Sequence, residues 1–110
     1  MKSIYRLKKN YQYNYVYKHA ESVADKNFIL LYCASKIKQS KVGFSVSKKY
    51  GKAVRRNRIR RQLKAAVSAV MPNVKDYFNA VFIPRRHDAY QYGEIVESVN
   101  NLFAKARLLR

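Results

Sequence analysis

The residues best suited to chemistry in this chain are cationic. Between Lys52 and Lys64, seven residues are Lys or Arg, and the wider stretch Gly51–Val70 contains no acid. The seven are Lys52, Arg55, Arg56, Arg58, Arg60, Arg61 and Lys64. A guanidinium presents paired donors that match phosphate oxygens, so this pattern favours gripping a polyanion over making or breaking bonds. Asn57, between two arginines, can hydrogen-bond a base edge, a 2′-hydroxyl or a phosphate. The second group is aromatic: Tyr5, Tyr11, Tyr13, Tyr15 and Tyr17 all fall within the first seventeen residues. Such rings either pack with their hydroxyls at the surface or stack on unpaired bases, and spacing alone leaves both readings open.

Little else in the chain suits catalysis. His19 and His87 stand alone in sequence, and the single cysteine, Cys33, lies inside the apolar run Phe28–Cys33. A thiol in that setting reads as a small core residue, and one cysteine excludes a disulfide framework. No Cys/His spacing resembles a metal site, and the three glycines form no phosphate-binding loop. Glu21, Asp25, Asp76, Asp88, Glu94 and Glu97 are scattered, so no carboxylate pair is set up to hold two metals. The sequence therefore predicts neither a catalytic residue nor a metal ligand.

The cationic stretch must be held by a helix. Ile59, Leu63, Ala66, Val67 and Val70 recur at i, i+4, i+7, i+8 and i+11, one helical face. Asn57, Arg60, Arg61 and Lys64 fall opposite, with Arg58 at the edge and Arg56 beside the apolar seam. The tyrosines call for a shorter helix, from Asn10 as N-cap to about His19. On it Tyr13, Val16, Tyr17 and Ala20 make one face, and Tyr11 and Tyr15 make a second row. Ser22–Ala34 reads as a strand, bent near Asp25–Asn27, whose apolar second half needs cover on both faces. In Lys41–Lys48, Val42, Phe44 and Val46 alternate with Gly43, Ser45 and Ser47, and the small residues leave room for close approach by another element or a ligand. Tyr77–Pro84 is a further strand. Tyr90–Leu108 is a last helix with its apolar row at Tyr92, Ile95, Val96, Val99, Leu102, Phe103 and Ala106. The expected fold is α+β: a two-layer sandwich of a small mixed sheet with about three helices, in the order α-β-β-(β)-α-β-α.

The chain has 110 residues, 48% of them hydrophobic, so one domain (1–110) with a real core is expected. Its formal net charge is +18. No acid lies between Lys26 and Lys75, a span holding fourteen Lys or Arg, so the positive field is local. Self-repulsion on this scale calls for a polyanionic partner, nucleic acid before an anionic membrane surface. No apolar run has the length of a membrane span or export signal, so the expected location is the cytoplasm, with no membrane and no small-molecule substrate as partner.

Three segments together resemble one family. Val42-Gly43-Phe44-Ser45-Val46-Ser47-Lys48-Lys49, then Gly51-Lys52-Ala53-Val54, then Arg56-Asn57-Arg58-Ile59-Arg60-Arg61 is similar to the signature of the bacterial ribonuclease P protein subunit. Arg6-Leu7-Lys8-Lys9-Asn10, the aromatics four apart, Lys18-His19, Phe28 and Asn101-Leu102-Phe103 extend the likeness over nearly the whole chain. The resemblance implies a left-handed βαβ crossover through the basic helix, against the usual hand. It also implies a ribonucleoprotein that removes the 5′ leader from precursor tRNA. In it the RNA subunit, with Mg²⁺ bound chiefly by RNA and substrate, performs the hydrolysis.

Carried over by position, Arg56, Asn57, Arg58, Arg60, Arg61 and Lys64 are expected to contact the catalytic RNA subunit, with Lys52 and Arg55 extending that surface. A cleft for the leader is implied between the first helix and the open sheet face. Its aromatic positions match Tyr13 and Tyr17, where the family commonly has phenylalanine. Lys18, Phe44, Ser45, Ser47 and Lys48 complete the expected cleft, with Gly43, Ser45 and Ser47 as a floor open to an extended strand. Two other readings compete: a structural, ribosomal-type RNA binder, which leaves the Tyr13/Tyr17 face without a client, and a duplex-DNA binder using the basic helix.

Overall fold

The computed structural model describes residues 2–86 and 88–110. His87, one of the two isolated histidines, lies outside them. Helix α1 (Asn10–His19) is followed by strands β1 (Glu21–Ala24), β2 (Phe28–Ala34) and β3 (Lys41–Phe44). Then come α2 (Ala53–Val70), β4 (Phe78–Pro84) and α3 (Tyr92–Lys105). The strands form one sheet in the order β1-β2-β4-β3. β3 runs parallel to β4, and the other pairs are antiparallel. A parallel pair needs a long crossover, and α2 supplies it. The result is an α+β fold with three helices on a mixed sheet, as the element pattern predicts.

The long predicted strand is divided, and Asp25 divides it. Its Oδ1 accepts hydrogen bonds from the backbone N–H groups of Asn27 and Phe28, both at 2.8 Å. That local turn folds β1 back on β2, with Ala24 opposite Ile29.

Alternation assigns the two faces of β2 and β4. Phe28, Leu30, Ala80 and Phe82 point into the main core, against Ile59, Leu63 and Val67 of α2 and Ile95, Val99, Leu102 and Phe103 of α3. The expected α2 row, Ile59, Leu63, Ala66, Val67 and Val70, is buried throughout. On the other face, Cys33 and Val81 pack with Leu7 and with Val16 of α1. Cys33 is a buried free thiol, and burial pushes its pKa up.

Several boundaries differ from the predicted ones, among them the end of α3, at Lys105 and not Leu108. Asn10 is the first helical residue of α1, and Lys9 is the cap position. The Gln12 side chain reaches back to accept from the N–H groups of Lys8 and Lys9, so it does the capping. β3 ends at Phe44 although Ser45 N–H still donates to the Phe82 carbonyl. The next ladder donor would be Pro84, which has no N–H. Tyr77 lies outside β4, at φ 65, in a bend. Finally, α3 begins at Tyr92, not Tyr90. Tyr90 is instead a buried anchor: its ring stacks on Phe28 at 4.9 Å and its hydroxyl donates to the Asn27 carbonyl at 2.7 Å. Consequently Tyr92, placed in the predicted apolar row, stays exposed.

Candidate nucleic-acid interface

The candidate interface lies along the free edge of β3 and the residues that follow it. That edge strand would otherwise present unpaired backbone groups, and three distant segments take them up. The N-terminal segment runs parallel beside it, with Arg6 bridged to Val42 and Leu7 N–H donating to the Val42 carbonyl at 3.2 Å. From α1, the Tyr13 hydroxyl accepts from Phe44 N–H at 3.3 Å. From α2, a terminal nitrogen of Arg60 lies 3.4 Å from the Val46 carbonyl, a long donated contact.

Tyr13 reaches the strand because residue 43 is glycine. A Cβ built on Gly43 would lie 2.5 Å from the Tyr13 hydroxyl oxygen and 2.6 Å from two ring carbons. Burial raises the Tyr13 pKa, only partly opposed by the hydrogen bond from Phe44. The expectation that Gly43 forms an open cleft floor is therefore corrected: the space above it is filled by the tyrosine of α1. Glycine there serves the docking of α1 on the sheet.

Two adjoining cavities flank Tyr13. One, of about 300 Å³, is lined by Arg6, Lys8, Tyr13, Phe44, Arg60 and Lys64, among others. The second, of about 320 Å³, is lined by Asn14, Tyr13, Tyr17, Phe44, Ser45 and Arg60, among others. Together they form a groove with aromatic rings on one wall and cations on the other. The rings of Tyr13 and Tyr17 are 6.4 Å apart and tilted by 46°. Tyr17 is 47% exposed, so its ring is the wall's accessible stacking surface.

The cationic wall is crowded. Burial lowers the Lys64 pKa, and the charges of Arg6 and Arg60 lower it further. Arg60 also donates to Asn57 Oδ1 at 3.2 Å, which leaves the Nδ2 donors of Asn57 for an outside partner. At the start of α2 no side chain caps the helix and no acid occupies the first turn. Cations at the positive end of a helix dipole are unfavourable, and an incoming phosphate relieves both terms.

The remaining predicted residues are spread around this groove. Lys52, Arg58 and Arg61 are exposed. The Arg55 guanidinium lies over the Tyr50 ring, 5.4 Å from its centroid. Arg56 is half-buried with its Nε buried and without a protein hydrogen bond, consistent with its place beside the seam. Ser47 lines a separate small cavity with Ser45, Val46, Tyr50, Ile83 and Pro84. Lys18 and Lys48 are exposed and line neither of the two main cavities. Arg6 and Lys8, by contrast, are not among the predicted site residues and do line one. Their signal is the i, i+2 alternation around Leu7, which buries Leu7 and turns both cations outward.

Among the described residues, no group of three or more His, Cys, Asp or Glu is placed to hold a metal ion. No described helix is long and apolar enough to cross a membrane.

Known proteins resemble this chain in sequence and in fold. The sequence profile of the family described as Ribonuclease P matches residues 1–107. A ribonuclease P protein component from Clostridium kluyveri is 36% identical over 110 residues, covering 97% of this chain and 98% of the relative. One from Natranaerobius thermophilus is 33% identical, covering 100% of this chain and 96% of the relative. The solved RNase P protein of Staphylococcus aureus superposes with a TM-score of 0.86 at 30% identity, covering 96% of this chain and 98% of that one. The Thermotoga maritima RNase P protein shares the fold, with a TM-score of 0.82 at 24% identity. Profile, relatives and fold agree over nearly the full length, and the chain belongs to the ribonuclease P protein family.

Proposed function

We propose that this chain, as one RNA-binding unit, is the protein subunit of a ribonuclease P that removes the 5′ leader from precursor tRNA in the cytoplasm. The observation that carries this reading is the shared groove. Tyr13 and Tyr17 of α1 and Arg60 of α2 line one cavity, so a single strand can lay bases against rings and phosphates against guanidiniums together. The leader is the strand that needs such a groove. The exposed cations Lys52, at the cap of α2, and Arg58 and Arg61 on it, with Arg55, Arg56 and Asn57 beside them, then hold the catalytic RNA.

Hydrolysis belongs to the RNA subunit in this reading. The main groove is lined by Arg6, Lys8, Arg60 and Lys64 and by no carboxylate. Such a lining repels a divalent cation and does not fit Mg²⁺, so the ions rest on RNA and substrate phosphates. What the chain contributes is positional and electrostatic. It neutralises phosphates where leader and RNA subunit converge, lowering the repulsion between them.

The test is cleavage of precursor tRNA by the RNA subunit at low Mg²⁺, with and without this protein. Faster leader removal with the protein is expected, and no enhancement would overturn the proposal.

A further inference from the structure

One aromatic feature has no place in that groove. On α1, Val16 points into the core and is fully buried, while Tyr13 and Tyr17 flank it on the side of β3. Tyr11, Tyr15 and His19 follow one another at four-residue spacing on the other side, about 6 Å apart along the axis. Tyr11 is 71% exposed and Tyr15 52% exposed. The Tyr15 and His19 rings are stacked, 4.2 Å between centroids and 6° from parallel. Their partnership leaves a flat double ring facing solvent and already in stacking geometry.

We propose that this outer flank of α1 is a second contact for single-stranded RNA, taking unpaired bases by stacking on Tyr11 and on the Tyr15–His19 pair.

Two observations favour RNA over a protein partner. The flank has aromatic rings but no aliphatic side chain: Val16 is the one aliphatic residue of α1, and it is buried. A helix docked in a protein groove lays down a broad apolar face at i, i+3, i+4 and i+7, whereas this flank is a single row of rings at i, i+4 and i+8 whose flat faces suit bases, each of which has a π-face. The charge also fits. α1 contains no acid, exposed Lys8 and Lys9 precede it, and Lys18 with His19 ends it. A phosphate backbone meets cations at both ends of the row.

The inference rests on the chain's binding RNA, but not on the leader's place in the groove. An Asn10/Asn14 ridge separates the two aromatic flanks on the helix surface, so a strand on the outer flank is a different strand or a distant part of the same one.

The test titrates the full chain into a fluorescein-labelled twelve-residue oligouridylate, read by anisotropy, with helix content checked by circular dichroism. Tyr11→Ala with Tyr15→Ala should weaken binding at least about fivefold, the low end for one stacked base. Tyr11→Phe with Tyr15→Phe should restore it, because the rings remain. Tyr11→Leu with Tyr15→Leu keeps apolar bulk but no flat ring, and should be as weak as the alanine pair. Combined with Tyr17→Ala, the alanine pair should show multiplied losses, as expected of separate contacts. Unchanged oligouridylate affinity in both the alanine and the leucine pair would overturn the inference. So would a dimer-to-monomer change in sedimentation with affinity retained, which would make the row a protein interface. Failure of the groove reading is a separate result: unchanged binding of leader-bearing precursor by Tyr17→Ala alone.

Discussion

The hydroxyl of Tyr13 accepts a hydrogen bond from the backbone N–H of Phe44, with the tyrosine ring lying over Gly43 between them. One side chain thereby caps the edge of β3, seats α1 on the sheet and defines the wall shared by the two groove cavities. The relation is steric before it is polar, since the ring reaches the strand only where no Cβ stands in its way.

Gly43→Ala should therefore push Tyr13 off the strand. Overpacking of this kind costs about 1–3 kcal/mol, measured by urea denaturation. Tyr13→Phe keeps the ring and loses the hydroxyl, at about 0.5–1.5 kcal/mol. An alanine variant as stable as the parent would show that the ring is not seated on Gly43.

Lys64 should trade stability for binding. Its charged form is disfavoured in the fold by burial and by Arg6 and Arg60, so its pKa lies below the ordinary 10.5. Protonated Lys64 therefore destabilises the free protein at every pH below its lowered folded pKa, and the penalty fades as pH rises through that value towards 10.5. Lys64→Gln should stabilise the free protein at pH 7 by about 0.2–0.5 kcal/mol, the scale of one like-charge i, i+4 pair with Arg60. The gain should shrink at alkaline pH while RNA affinity falls. Thermal melts across pH and a parallel RNA titration check both halves.

Arg58→Ala with Arg61→Ala should weaken binding to the RNA subunit and flatten its salt dependence. The expected change is about one unit of log–log slope for each phosphate no longer neutralised. An unaltered slope in filter binding at several salt concentrations would mean that this face is only solvated.

Tyr17→Ala should weaken binding of leader-bearing precursor by about 1–3 kcal/mol if its exposed ring stacks a base. Mature tRNA should bind almost as before. Equal losses for both substrates would point to disturbed folding of α1, which circular dichroism would reveal.

Much of this molecule follows from sequence because the signals are local. The row from Ile59 to Val70 is a relation among neighbours on one helix, and so is the opposing arc of cations. The break at Asp25 lies in a side chain bonding to its own next residues. The charge gap between Lys26 and Lys75 is likewise written in the chain, and by itself it points to a polyanionic partner. Tertiary structure decided what meets along the edge of β3. Arg6 and Lys8 enter the groove because the N-terminal segment pairs with Val42, and no periodicity within nine residues announces a pairing more than thirty residues away. Gly43 has the same origin. In sequence it is a small residue in an alternating strand, equally suited to a ligand or to another element. Only the register of β3 on β4 and the seating of α1 place a tyrosine there, because that choice depends on non-local contacts that a local pattern does not encode.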